Sequence, residues 1–188
     1  MLFRSTAVAT GACGSGGTYT IALSAASEAT RAVTVKQKDS ANNTSSASTA
    51  LTWTYDATAP AAPSITTPAS SPLATNLNSF TVAGACETAA NVRLSGDATA
   101  NVTCAAGAYS FSITKSGNQS YSFSVDQVDL AGNASSQTGP VTWIRDTIAP
   151  SAPVITSPSA PVINSANTLA ISGTCEAAAT MNLSGDRK

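Results

Sequence analysis

The sequence predicts an all-β chain assembled from tandem copies of one β-sandwich unit. Three observations carry this reading: a linker that occurs twice, strand-like alternation between the linkers, and the absence of helical periodicity. The linker reads DATAPAAPSITTP from Asp56 to Pro68 and returns as DTIAPSAPVITSP from Asp146 to Pro158. Asp56 matches Asp146, Pro60 matches Pro150, Pro63 matches Pro153, Ile65 matches Ile155 and Pro68 matches Pro158, each pair ninety positions apart. Trp53 and Trp143 each stand three residues before the Asp. A fixed period of this size outranks local signals, because each copy is one structural unit.

The elements follow in order. Residues 1–55 match the second half of the unit: Tyr19 aligns with Tyr109, Val35 with Val125, Gln37 with Gln127, Asp39 with Asp129 and Asn43 with Asn133. Cys13 aligns with Cys104 after one inserted residue. Residues 56–145 form one complete unit, and residues 146–188 match the first half of a third. There Leu169 matches Phe80, Gly173 matches Gly84, Cys175 matches Cys86 and Glu176 matches Glu87, and the string Leu94 to Asp97 returns as Leu183 to Asp186. The expectation is a chain that begins and ends inside a domain, as a piece of a longer array would.

Within the complete unit, Phe80 and Val82 alternate with Thr81 and Ala83. Tyr109, Phe111 and Ile113 alternate with serines, as do Tyr121, Phe123 and Val125. Period-two alternation marks strands with one buried face. Turn residues, such as Ser95-Gly96-Asp97, Ser116-Gly117-Asn118 and Ala131-Gly132-Asn133, separate the runs. Seven strands are predicted, near 63–67, 79–86, 90–95, 100–105, 108–115, 119–129 and 137–145. About ninety residues in seven short strands suit a β-sandwich.

The D-x-x-A-P linker, the G-x-x-E string from Gly84 to Glu87 and the D-x-A-G-N-x-S string from Asp129 to Ser135 together resemble bacterial immunoglobulin-like repeats of the Big type. The resemblance covers the whole chain. It implies tandem immunoglobulin-like β-sandwich repeats, one complete and two partial. It also implies a long array in a secreted or cell-surface, adhesin-like protein. The cysteines depart from the family pattern, since many such repeats have a small residue where Cys86 and Cys175 stand.

Composition narrows the function. Only 10% of residues are charged and the net charge is −1, so nothing draws a nucleic acid or an anionic membrane electrostatically. The chain has no histidine, which excludes Ser-His-Asp and Cys-His machinery and His-ligated metal within it. No apolar run is long enough for a membrane-spanning helix. The start, Met1 to Cys13, superficially suggests a lipoprotein signal, but its apolar stretch is short and Thr10 stands where an aliphatic residue is expected.

The four cysteines form no Cys-x-x-Cys pair, which weakens zinc and thioredoxin-type readings. The complete unit holds two, Cys86 and Cys104. The strand leaving Cys86 turns at Ser95-Gly96 and returns to Cys104, so both sulfurs fall at one end of a hairpin. This predicts one disulfide per unit and an oxidising location: outside the cell or at its surface, with the periplasm as the alternative. The alternative is a pair of buried free thiols.

Among the acids, Asp56, Glu87 and Asp129 are expected at one pole of the sandwich, with Asp146 and Glu176 beginning the same set at the next junction. Carboxylates beside Asn133 and backbone carbonyls suit Ca²⁺, and junction calcium in some related arrays adds to that reading. The alternative is that these acids hydrogen-bond turn backbones. Trp53 and Trp143 are in phase with apolar neighbours and read as core. The sequence assigns no catalytic residue and no ligand-binding residue. Three functions compete. One is a non-catalytic stalk whose partners are neighbouring repeats of the same chain. Another is an adhesion module binding a host or cell-surface protein or glycan. The third is an accessory domain of a secreted hydrolase.

Overall fold

The structure, a computed structural model, describes residues 9–185. The signal-like start through Val8, and Asp186 of the returning string, lie outside the described residues. Among the described residues all regular structure is strand, without a helix. The strands are β1 (Ala29–Val33), β2 (Leu51–Tyr55), β3 (Leu73–Thr75), β4 (Ser79–Ala85), β5 (Asn91–Gly96), β6 (Ala100–Thr103), β7 (Ala108–Thr114), β8 (Gln119–Val128), β9 (Thr138–Arg145), β10 (Val154–Ser157) and β11 (Ser172–Thr174).

Strands β3 to β9 build two sheets. One has five strands in the order β3-β9-β8-β5-β6, and the other pairs β4 with β7. The short β3 runs parallel to β9, while every other pairing is antiparallel. Alternation along the strands turns one face of each sheet inward: Phe80 and Val82 on β4, Tyr109, Phe111 and Ile113 on β7, Tyr121, Phe123 and Val125 on β8. Residues of both sheets join a single apolar cluster, an arrangement consistent with a β-sandwich. Trp143 lies at its centre, fully buried, with its ring stacked on Phe80 at 5.0 Å and tilted against Tyr121 at 5.5 Å. Its indole N–H donates to Thr75 Oγ1 at 2.9 Å, so the one polar atom of the largest core side chain is satisfied.

Two details differ from the sequence reading. Residues 63–67 hydrogen-bond along β4, with Ser64 N donating to Ala85 O and Thr66 N to Ala83 O, but only Thr67 makes a bridge. Proline at 63 and 68 supplies no donor and keeps this ladder short. Strand β3 was not predicted; three residues give too small a window for alternation to register.

The flanking segments repeat this pairing without the core. In β1–β2, Ala29 faces Tyr55, Arg31 faces Trp53 and Val33 faces Leu51. In β8–β9, Gln119 faces Arg145, Tyr121 faces Trp143 and Phe123 faces Val141, each pair ninety positions on. In β10–β11, Gly173 faces Ile155, and a Cβ on Gly173 would sit 1.8 Å from Val154 O. Gly84 is under the same constraint, 1.9 Å from Ser64 O, so only glycine admits the incoming segment at either place. The strand pairs β1–β2 and β10–β11 are hydrogen-bonded to no other sheet among the described residues. Their apolar side chains are correspondingly open: Leu183 is 85% exposed where Leu94 is 3%, and Leu169 is 57% exposed where Phe80 is 5%.

Candidate functional site

Of the predicted site residues, Cys86 and Cys104 lie near the end where Asn133 and Gln127 hold the linker from Asp56. Cys86 follows β4, and Cys104 follows β6, the return strand of the β5–β6 hairpin. The two are joined in a disulfide with Cα atoms 6.0 Å apart, as the hairpin argument expects. Cys104 N donates to Ala90 O at 2.8 Å and Cys86 N to Gly107 O at 3.0 Å, so both cysteine backbones are held by hydrogen bonds beside the disulfide. Cys13 and Cys175 are free and exposed.

The residue that ties this end together is Gln127, to which the sequence reading gave no role. It is a buried polar side chain at the inward phase of β8. Its Nε2 donates to Ala61 O of the linker at 2.7 Å, and its Oε1 accepts from Glu87 N beside the disulfide at 2.9 Å. Its own backbone N donates to Ser135 Oγ at 3.0 Å. The side-chain amide thus satisfies groups of the linker and the disulfide loop, while the backbone N–H of the same residue ties the strand to the β8–β9 turn. The sequence signal was there: a polar residue interrupting an inward-facing apolar run, in both copies, at Gln37 and Gln127.

The acids serve turns. Asp129 Oδ1 accepts from Asn133 N at 2.8 Å and Ala131 N at 2.9 Å, and its Oδ2 accepts from Asn133 Nδ2 at 2.9 Å. The Asn133 side chain, then the backbone N–H groups of the turn, hold the Asp129 carboxyl below its ordinary value against the opposing effect of burial. Asp39 and Asn43 make the same pair of bonds at 2.8 Å each, and Asp39 is lowered in the same way, first by Asn43. The left-handed residue of this turn is Gly132 (φ 98°) in one copy and Asn42 (φ 71°) in the other, the two residue types that accept that backbone most readily.

Asn133 Nδ2 also donates to the backbone carbonyl of Asp56 at 3.2 Å, docking the linker on the turn. The Asp56 carboxylate accepts from Thr58 N at 3.0 Å and Asp146 accepts from Ile148 N at 2.9 Å, each two residues on. Glu87 and Glu176 each accept at their backbone carbonyl, from Ala90 N and Ala179 N. Among the described residues there is no group of three or more His, Cys, Asp or Glu side chains placed to hold a metal.

The opposite end of residues 56–145 is also wired. The buried Arg145 donates to Ser116 O at 2.8 Å, to Asn118 Oδ1 at 2.7 Å and to Asn78 Oδ1. Asn118 Oδ1 in turn accepts from Thr147 N and Thr147 Oγ1, clamping the outgoing linker. Ninety positions before Asn118, Glu28 accepts from Ala57 N and Thr58 Oγ1. Beside Arg145 lies an open groove of about 600 Å³ that includes Asn78, Lys115, Gln119 and Tyr121.

No helix among the described residues is long and apolar enough to cross a membrane. No protein-family model matches the chain, and no curated protein sequence matches it.

Proposed function

We propose that this chain is a run of tandem immunoglobulin-like β-sandwich repeats, with residues 56–145 as one complete unit. In this reading it is a structural stalk that spaces other domains of a bacterial surface or secreted protein. The observation that carries the reading is the linker clamp, made twice by different residues. Glu28 holds Ala57 and Thr58 at one junction, and Asn118 holds Thr147 at the next. A joint built to the same geometry from different chemistry serves position, as a spacer requires. The matching registers of β1–β2 and β8–β9 support the repeat itself. The disulfide supports an oxidising location, and paired prolines restrict the linkers.

The reading is tested on chains carrying one, two and three copies of residues 56–145. Small-angle scattering is expected to show a constant increase in particle length per copy, with an unchanged unfolding midpoint. Copies that collapse side by side, or a length that fails to grow, would contradict a stalk.

A further inference from the structure

We propose that the groove beside Arg145 binds a saccharide that carries a carboxylate, with Arg145 and Lys115 supplying the countercharge. The inference goes beyond the stalk reading and does not depend on it. It starts from a charge at a core position. Val141, Trp143 and Arg145 take the inward phase of β9, and Arg145, 7% exposed, is the one buried charged side chain among the described residues. A buried guanidinium is costly unless its charge is matched. Among the described residues the one salt bridge joins Arg93 to Asp126, so no carboxylate there lies against Arg145.

The hydrogen bonds of Arg145 show which part of it is unfilled. Nη1 donates to Ser116 O and Asn118 Oδ1, Nη2 donates to Asn78 Oδ1, and every one of these acceptors is neutral. Nε is buried and has no partner. Arg93 turns the corresponding edge, Nε with Nη2, onto the two oxygens of the Asp126 carboxylate. Such bidentate pairs are the strong ones a guanidinium makes, and Arg145 lacks its equivalent on Nε. Lys115 lines the same groove. Its ammonium lies 5.3 Å over the Tyr121 ring and donates to the backbone carbonyl of Asp97, not to a carboxylate. The lining therefore carries both cations and no acid.

What surrounds the cations selects the rest of the ligand. Asn78, Thr114, Ser116 and Gln119 contribute amides and hydroxyls, which both donate and accept, as a sugar's hydroxyls require. The volume of about 600 Å³ falls in the range of small-molecule sites, roughly 300–1,000 Å³, and suits a sugar unit or two better than a protein surface. The strand scaffold does not demand this lining. Ninety positions earlier, where β1–β2 repeats the register of β8–β9, Lys115, Gln119, Tyr121 and Arg145 give way to Ala25, Ala29, Arg31 and Tyr55. Gln127 and Asp129, by contrast, recur as Gln37 and Asp39. Turn and register positions repeat while groove positions do not, as expected of a binding site added to a shared scaffold.

The test titrates the isotope-labelled full chain with glucuronic acid, using glucose as the neutral control and acetate as the sugar-free one. Glucuronate is expected to give saturable shifts of the Lys115, Ser116 and Gln119 amides and of the Arg145 Nε–H resonance. Acetate is expected to need concentrations about tenfold higher, and glucose to give no shift. Lys115→Gln is expected to weaken glucuronate binding about tenfold, the loss of one charge-assisted hydrogen bond, with the spectrum otherwise unchanged. Lys115 is the residue to replace because Arg145 also holds the outgoing linker through Asn118. Acetate binding as tightly as glucuronate would overturn the saccharide. An Arg145 Nε–H resonance that stays still while Lys115 moves would overturn the role of Arg145. The absence of any saturable shift would overturn the site and leave the stalk reading standing. A short polyglutamate peptide that moves these resonances at lower concentration than glucuronate would overturn the proposal in favour of an acidic protein partner.

Discussion

Strand pairs β1–β2 and β8–β9 share one register, yet only the second encloses a core. Trp143 is fully buried between two sheets, whereas its counterpart Trp53 is half-buried, with the guanidinium of Arg31 over its ring at 6.0 Å. Both pairs carry the same acidic turn, closed by Asp39 in one and Asp129 in the other. The difference teaches that turn chemistry and strand register are written locally in each strand pair. Burial requires the β4–β7 sheet, which residues 9–55 lack. Stability therefore resides in the completed sandwich, not in the hairpin-like pair.

The largest expected contrast is between the two tryptophans. Trp143→Ala is expected to cost the central unit about 3–5 kcal/mol in chemical denaturation, the range for removing a buried aromatic side chain. Trp53→Ala, measured in the same chain, is expected to stay within about 1 kcal/mol, because little is buried over it. Equal losses would break the comparison. Replacing Cys86 and Cys104 by Ser together is expected to cost about 3 kcal/mol through the freed loop of the unfolded chain, while Cys13→Ser is expected to leave the stability of the central unit unchanged.

Gln127→Leu removes partners from Ala61 O and Glu87 N and is expected to cost about 1–3 kcal/mol, the penalty for groups left unsatisfied. The matching Gln37→Leu is expected to be nearly silent, since Gln37 is exposed. Two-dimensional spectra would show the Gln127 variant perturbing Ala61 and Glu87 first. A smaller contrast separates Tyr109→Phe from Tyr19→Phe. Tyr109 donates to Ser64 O at 2.9 Å, and its loss is expected to cost about 1 kcal/mol. Burial pushes the Tyr109 phenol up to about 12. A group bound more tightly to its proton in the folded state stabilises below its ordinary value near 10 and loses that stabilisation as pH rises through about 12.

The smallest effect concerns the acidic turn. Asp129 is held below its ordinary value, so its contribution is complete above about pH 4 and is lost as pH falls through the lowered folded value. Asp129→Asn is expected to remove that part of the acid transition, and melting curves are expected to be the same with and without millimolar Ca²⁺. A melting temperature that rises with Ca²⁺ in the wild type but not in the variant would assign these carboxylates a cation instead of a turn.

How far the sequence could be read follows from which features are periodic. The strands of residues 79–145 were legible because alternating Phe, Tyr, Val and Ser on β4, β7 and β8 have a single buried face. The Cys86–Cys104 bond was legible because a hairpin returns the chain to its starting end. The acidic turn after Asp129 was legible as a turn, since Ala131-Gly132-Asn133 interrupts the alternation. Gln127 was not, because a buried amide has meaning only once Ala61 and Glu87 converge on it from distant parts of the chain. The linker clamp was hidden for a related reason: Glu28 and Asn118 share a hydrogen-bonding geometry and not a residue type. The three acids were placed near one pole on topology alone, which does not say where a carboxylate points.

Hydrogen exchange on the full chain carrying Cys13→Ser and Cys175→Ser, at high dilution, tests the central claim most directly. Amides of β8, such as Phe123 and Val125, are expected to exchange only on global unfolding, while Val33 and Val35 exchange orders of magnitude faster. Equal protection of the two sets would mean that residues 9–55 have a core of their own, and would contradict the account.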